Sequence, residues 1–248
     1  IEFNISTRPI VTKELTWISD LNLAWNKNKI TKLAESADGT VGDISVGKGN
    51  KVQKHEVGHS AYSFYVYEQV YDASGNPMEG VFVDRDHDGV ITEKDRYLYH
   101  SRDPKVTLTW SNNVRWRNWD FGIVLRANMG NYIYNNTQAA NVFKSGNAAL
   151  PLNNMMADTF LFESGSNEKY LSDYFVQNGS FLRCDNITVG YTWDNLLNDN
   201  LRLRLYGAVQ NPFVITKYKG LDPEVYSGID NGVYPRPVTF TLGVVANF

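Results

Sequence analysis

Alternation with a period of two dominates the chain. Between residues 13 and 26, Leu15, Trp17, Leu21, Leu23 and Trp25 fall on one face, with Glu14, Thr16, Asp20, Asn22 and Asn26 on the other. This predicts a strand with one oily and one wet side. The division recurs at 117–134, where Trp119, Phe121, Ile123, Leu125, Ala127, Met129 and Ile133 alternate with Asp120, Gly122, Arg126, Asn128 and Gly130. A run of ~17 residues exceeds the ~5–6 of an ordinary soluble strand and fits a tilted wall that projects beyond a bilayer. At 201–209, Leu201, Leu203, Leu205 and Val209 oppose Arg202, Arg204 and Tyr206, and arginines on the second face suit a water-filled lumen. Further strands are predicted at 1–8, 58–72, 104–114, 181–193 and 236–248, about eight in all.

The connections alternate in length. Asn113 to Trp116 reads as a tight turn, whereas 27–57, 73–103, 135–180 and 214–235 are long, and a short helix is expected within 151–175. Loops beyond ~12–15 residues are uncommon in compact soluble domains, yet outer-membrane barrels pair short turns at one end with long loops at the other. The predicted fold is therefore all-β, an antiparallel transmembrane β-barrel wall with long extracellular loops. In the final segment, Phe240, Leu242, Val244, Ala246 and Phe248 share a face. An amphipathic strand ending on an aromatic suits a closing stave of a barrel. Phe240, Leu242, Val244 and Phe248 resemble the signal by which bacterial outer-membrane proteins are recognised for assembly. The competing expectation is a soluble or surface-attached β-sandwich.

Composition sharpens this only in places. Aromatics reach 13 %, with 15 Tyr, 12 Phe and 6 Trp, a mixture that favours strands. No run of 18 apolar residues exists, which excludes a spanning helix but not a spanning strand of ~9–11 residues. Lys and Arg number 24 against 27 Asp and Glu, a net charge of −3, and no basic block stands out. Nucleic acid is thereby excluded as the expected partner. Cys184 is the single cysteine, so neither an intrachain disulfide nor a cysteine-held zinc site is available.

Residues 84–95 carry the clearest ligand chemistry. Counting from Asp84, carboxylates fall at loop positions 1, 3, 5 and 12 (Asp84, Asp86, Asp88, Asp95), with Gly89 at position 6, the spacing of an EF-hand-type loop. Alternate side chains then converge on one hard cation, Val90 offers its carbonyl, and Thr92 contributes through a water. Asp95 replaces the usual bidentate Glu, which leaves Ca2+ or Mg2+ as the ion. Its expected role is structural, pinning an extracellular loop; the bland alternative is a solvated acidic turn.

Other constellations carry less. His55 and His59 are four apart but do not sit in a helical pattern, so a zinc pair is not expected. No serine lies on a nucleophile elbow, and the chain is not expected to be an enzyme. Trp110, Trp116, Tyr132, Tyr134 and Tyr170 could stack on sugars or pack on a partner, with an interfacial aromatic girdle the expectation for Trp116 and Trp119.

Several phrases, in order, resemble one family. Phe181 to Thr192 (FLRCDNITVGYT), Val209 to Glu224 (VQNPFVITKYKGLDPE), Tyr234 to Pro237 (YPRP) and Phe3 to Val11 (FNISTRPIV) are similar to the SusC/RagA-like TonB-linked outer-membrane transporters. Cys184 and Pro212 stand where that family more often has an apolar residue and a Leu. The resemblance covers nearly all of residues 1–248 and implies the C-terminal part of a plugged barrel of about 22 strands. It also implies localisation in the bacterial outer membrane, in contact with lipid, and energised import of a glycan or peptide substrate. Its implied partners are the remainder of the same barrel and its plug, a SusD-like surface lipoprotein as lid, and TonB acting through an N-terminal region. The alternative function is a calcium-binding β-sandwich module that recognises carbohydrate. About eight strands leave two open edges, which in lipid demand completion by other strands.

Overall fold

The structure, a computed structural model, describes residues 1–34, 40–43, 51–142, 156–162, 171–196 and 201–248. In chain order its strands are β1 (Glu2–Val11), β2 (Leu15–Trp25), β3 (Thr40–Asp43), β4 (Lys51–Lys54), β5 (Ser63–Val66), β6 (Gln69–Tyr71), β7 (Pro77–Phe82), β8 (Tyr97–Ser101) and β9 (Val106–Trp116), then β10 (Trp119–Met129), β11 (Tyr132–Tyr134), β12 (Val176–Asn178), β13 (Phe181–Leu196), β14 (Leu201–Thr216) and β15 (Thr239–Asn247). The one α-helix among the described residues, α1, spans Asn136–Asn141. No helix there is long and apolar enough to cross a membrane.

Seven of these strands form one sheet in the order β1-β2-β9-β10-β13-β14-β15. The register sets like beside like. Trp17 pairs with Val114, Val114 with Phe121, Phe121 with Val189, Val189 with Gly207 and Gly207 with Leu242, an apolar row across the wall. On the other face the same pairing joins Asp20, Ser111, Val124, Asn186 and Gln210. The apolar face is uncovered: Leu242 is 86 % and Phe240 77 % exposed. A sandwich would press a second sheet onto these residues, so the sandwich alternative fails; a face of this kind is stable when lipid covers it. Polar atoms on that face are not left bare. Trp17 Nε1 donates to Asn112 Oδ1 at 3.0 Å, and Trp110 Nε1 to Ser19 Oγ at 2.9 Å, which avoids the several kcal/mol that an unpaired polar group costs in hydrocarbon.

Several boundaries differ from the sequence reading. The run 58–72 is not a wall strand but β5 and β6; Phe64 and Val66 are buried with Ser63 and Gln69 beside them, so no single apolar stripe survives, and Tyr62 at φ 54° interrupts the run. The wall therefore has seven described staves. The run 117–134 splits at Gly130, whose φ of +81° turns the chain, and β11 pairs with β12 instead. The tight turn falls at Arg117 and Asn118, beyond the expected Asn113 to Trp116. In contrast β13 and β14 reach 16 residues each, longer than expected, because a bulge absorbs Pro212: the register shifts between Cys184 and Asn186, and Asn211 takes φ 52°. A proline without an N–H is tolerated at such a place. Within 151–175 the described turns are 3-10 helices at Ala157–Leu161 and Asp173–Phe175; the rest of that span lies outside the described residues.

With 58–72 no longer a wall strand, the long connections are three, β2–β9, β10–β13 and β14–β15; all leave the same end of the wall, and their described residues fold into one cap. Its core joins Val52, Phe64, Val66, Tyr134, Ala139, Val142, Phe162, Leu171, Phe175, Val176 and Ile229, residues drawn from connections that are far apart in sequence. The polypeptide between β14 and β15, hereafter the strap, enters this core at Ile229. Tyr134 N donates to Gly228 O, and Asp230 N to Tyr134 O.

Candidate functional site

The acidic loop lies in the cap between β7 and β8. Carboxylate oxygens of Asp84, Asp86 and Asp88 lie within 4.8 Å of one another. Backbone N–H groups organise them: Asp84 accepts from His87 N and Gly89 N, and Asp88 from Val90 N. Gly89 supplies the left-handed turn at φ +85°. Asp95 does not join the trio. It is fully buried, one oxygen accepting from Arg85 N at 2.8 Å and the other from Thr92 N at 2.7 Å, so it closes the loop from beneath. These N–H donors, that of Thr92 foremost, hold its carboxyl below the usual range. Thr92 caps the short helix at Glu93–Asp95, and Val90 is exposed. Three clustered, exposed carboxylates fit a hard divalent cation in charge and donor type.

The loop is tied to the cap interior. Arg85 pairs with Glu68 and lies over the Tyr97 ring at 4.6 Å. Tyr97 Oη donates to Asp173 Oδ2 at 2.8 Å, and Gln69 N to Asp173 Oδ1 at 3.1 Å. Burial pushes the Asp173 carboxyl up, against the opposing pull of Tyr97.

A second arrangement lies on the polar face of the wall, where the strap is fastened. Arg126 on β10 holds Asp185 at 2.9 Å and Glu224 of the strap at 2.5 Å. Arg183 on β13 lies 2.7 Å from Asp222 and 2.8 Å from Glu224, and Arg236 reaches Glu224 at 2.9 Å. Three guanidinium groups thus meet three carboxylates, a balanced network whose centre, Arg183 with Asp222 and Glu224, is the most buried part. Nearer the short-turn end, Arg204 pairs with Asp120 at 2.5 Å across Gly190, where a Cβ would come within 2.6 Å of Asp120 Oδ1. Only glycine lets that bridge pass over β13.

Sequence reasoning did not assign the strap network. Arg126 was placed on the wet face, and Asp222 and Glu224 lay within a recognised phrase, but no local spacing links residues that lie 98 positions apart. The aromatic candidates separate clearly. Tyr134 is core and Tyr132 stacks on His100 at 3.7 Å; Trp110 is on the apolar face; Trp116 and Trp119 sit at the short-turn end, where a girdle belongs; Tyr170 lies outside the described residues. His55 packs edge-on against Tyr62, and His59 faces Glu56 at 3.9 Å, so the two do not form a metal pair. Phe240, Leu242, Val244 and Phe248 are all exposed on or just beyond β15.

No family model matches the sequence. The TonB-dependent receptor SusC of Bacteroides thetaiotaomicron is 46 % identical over all of the chain and 26 % of its own length. The TonB-dependent receptor P3 of Formosa agariphila is 29 % identical over all of the chain and 28 % of its length. The chain thus spans about a quarter of the curated relatives it matches. Among solved structures, the RagAB peptide transporter superposes with a TM-score of 0.76 at 21 % identity, over 99 % of this chain and 28 % of that one. The open-open state of the RagAB peptide importer gives 0.72 at 20 %.

Proposed function

We propose that this chain is a portion of barrel wall of the SusC/RagA-like TonB-dependent outer-membrane transporters, and that the whole protein imports an oligosaccharide or a peptide across the outer membrane. The observation that carries the reading is the division of one continuous sheet into a lipid-type face and a polar, ion-paired face, with every long connection gathered at one end. Such a wall lines a lumen on one side and meets lipid on the other. A SusD-like lipoprotein would sit over the cap end as lid, TonB would act from the opposite side through the plug, and the open edges of β1 and β15 would be completed by the remaining staves. Phe240, Leu242, Val244 and Phe248 would serve in assembly.

Within the cap, residues 84–95 would hold a structural Ca2+, with Mg2+ the alternative, through Asp84, Asp86 and Asp88. The bound ion would neutralise three carboxylates that otherwise repel, while Asp95 keeps the loop closed. Deleting the full-length gene should abolish uptake of one class of complex nutrient while leaving growth on simple monomers unchanged. Unaltered uptake of every oligosaccharide and peptide would contradict the import reading.

A further inference from the structure

Where the strap passes between wall and cap, a cleft of about 380 Å³ opens, lined by Arg102, Asp103, Asn128, Asn131, Glu224, Tyr226 and Arg236 among others. It falls at the small end of the usual ~300–1,000 Å³ range of ligand sites. Asn128 belongs to the polar face of β10, so the cleft opens toward the lumen side. Its most exposed feature is an aromatic ring: Tyr226 is 93 % exposed. The Arg102 guanidinium lies 5.4 Å from the centroid of that ring and 3.4 Å from that of Tyr62, which fixes the guanidinium beside the tyrosine face. The backbone behind packs closely: Gly228 takes φ +74°, and a Cβ there would meet Arg102 Cβ at 2.4 Å.

The polar groups of the cleft are of both kinds and their charges cancel. Arg102 lies 3.5 Å from Asp103, and Arg236 lies 2.9 Å from Glu224. No surplus charge remains to attract an ion. Unmet hydrogen-bonding capacity does remain. Asn131 is only 6 % exposed; its Nδ2 donates to Gly179 O at 3.1 Å, and its Oδ1 has no partner. The buried Arg102 Nε faces only the Asp103 carboxylate, at 3.5 Å and short of a hydrogen bond. Buried polar groups left unpaired are costly and call for a partner. One orphaned acceptor and a guanidinium held only by long contacts to Asp103 and Ser227 O, beside an exposed ring, suit a ligand that both donates and accepts, presents an apolar face and carries no charge.

We infer that this cleft is a subsite for a neutral sugar ring, with Tyr226 as the stacking platform, Arg102 and Asn128 as hydrogen-bonding groups and Asn131 at its foot. The inference rests on the import reading and narrows its substrate to an uncharged oligosaccharide. It assigns the strap a second task besides joining cap to wall, because Tyr226 lies only two residues beyond Glu224.

The test uses the full-length transporter, purified in detergent and also expressed in cells of a deletion strain. The probes are neutral hexasaccharides of glucose, galactose, mannose or xylose, an acidic oligogalacturonide and a mixed peptide pool. One neutral hexasaccharide should bind the wild type, Tyr226→Ala should weaken it by roughly tenfold, and Tyr226→Phe, which keeps the ring, should stay within about twofold. Tyr226 is so exposed that its removal leaves folding untouched. Selective binding of the acidic sugar or the peptides, or equal neutral-sugar affinity in Tyr226→Ala, overturns the subsite and leaves the importer standing. Failure of wild-type cells to take up any of the three probe classes overturns the importer reading, and the subsite with it.

Discussion

Phe64 and Phe240 are the same residue type under opposite rules. Phe64 is wholly buried in the cap, whereas Phe240 is 77 % exposed on the wall. The cap satisfies its apolar residues as a water-soluble domain does, by packing them against one another. The wall instead turns them outward and gathers its charges within, Asp120 against Arg204 and Arg126 against Glu224. One polypeptide crosses between the two regimes at the ends of β2, β10 and β14, and each crossing resets which residues count as interior. Substitutions of one chemical kind should therefore have opposite consequences in the two regions.

The largest effect is expected in the cap. Phe64→Ala should cost about 3–5 kcal/mol and make the long connections protease-sensitive while the barrel still resists heat in detergent; loss of the barrel as well would merge the two regions into one folding unit. At the seam, Glu224→Ala would leave Arg126 and Arg183 without their shared carboxylate, an effect on the order of 3–5 kcal/mol for a buried pair. Cleavage confined to the strap would be its signature, and an unchanged proteolysis pattern would deny the strap its anchor. On the wall, the polarity of the change matters more than its size: Ile123→Arg should destabilise by about 2–4 kcal/mol in lipid, measured by unfolding in liposomes, whereas Phe121→Ala should cost far less than Phe64→Ala.

The smaller tests concern charge in the cap. Asp173 has a raised pKa, so its ionisation works against folding: stability is greatest at low pH and declines as pH rises through the raised value. Asp173→Asn should therefore make the cap more resistant to proteolysis at neutral pH and flatten that dependence. Asp95 has the opposite sign, its lowered pKa giving stability that disappears as pH falls below the usual carboxylate range. A pH dependence of cap stability unaffected by Asp173→Asn and by Asp95→Asn would remove these groups from the account. Chelation should give the mildest change, faster cleavage near residues 84–95 that is reversed by added Ca2+ and absent in Asp86→Asn.

How much of this was legible depended on the distance over which the signal acts. The faces of β2, β10 and β14 follow from alternation alone, since a strand's period of two is local. The acidic loop was visible for the same reason, being one run of twelve positions. Strand ends were not: Gly130 halts β10 and a bulge carries β14 through Pro212, outcomes set by neighbouring strands. The run 58–72 misled because its apolar residues serve a packed cap, a distinction that composition does not reveal. The strap network and the cleft beside Tyr226 escaped notice because they join β8, β10, β13 and the strap, which meet only in three dimensions.

Single cysteines introduced from Phe121 to Leu125 in a Cys184→Ser version of the full-length transporter, reconstituted in liposomes, test the division of the wall most directly. Positions 121, 123 and 125 should react with a lipid-soluble reagent and resist a water-soluble one, while 122 and 124 should do the reverse. Equal labelling of both sets by the water-soluble reagent would contradict the account.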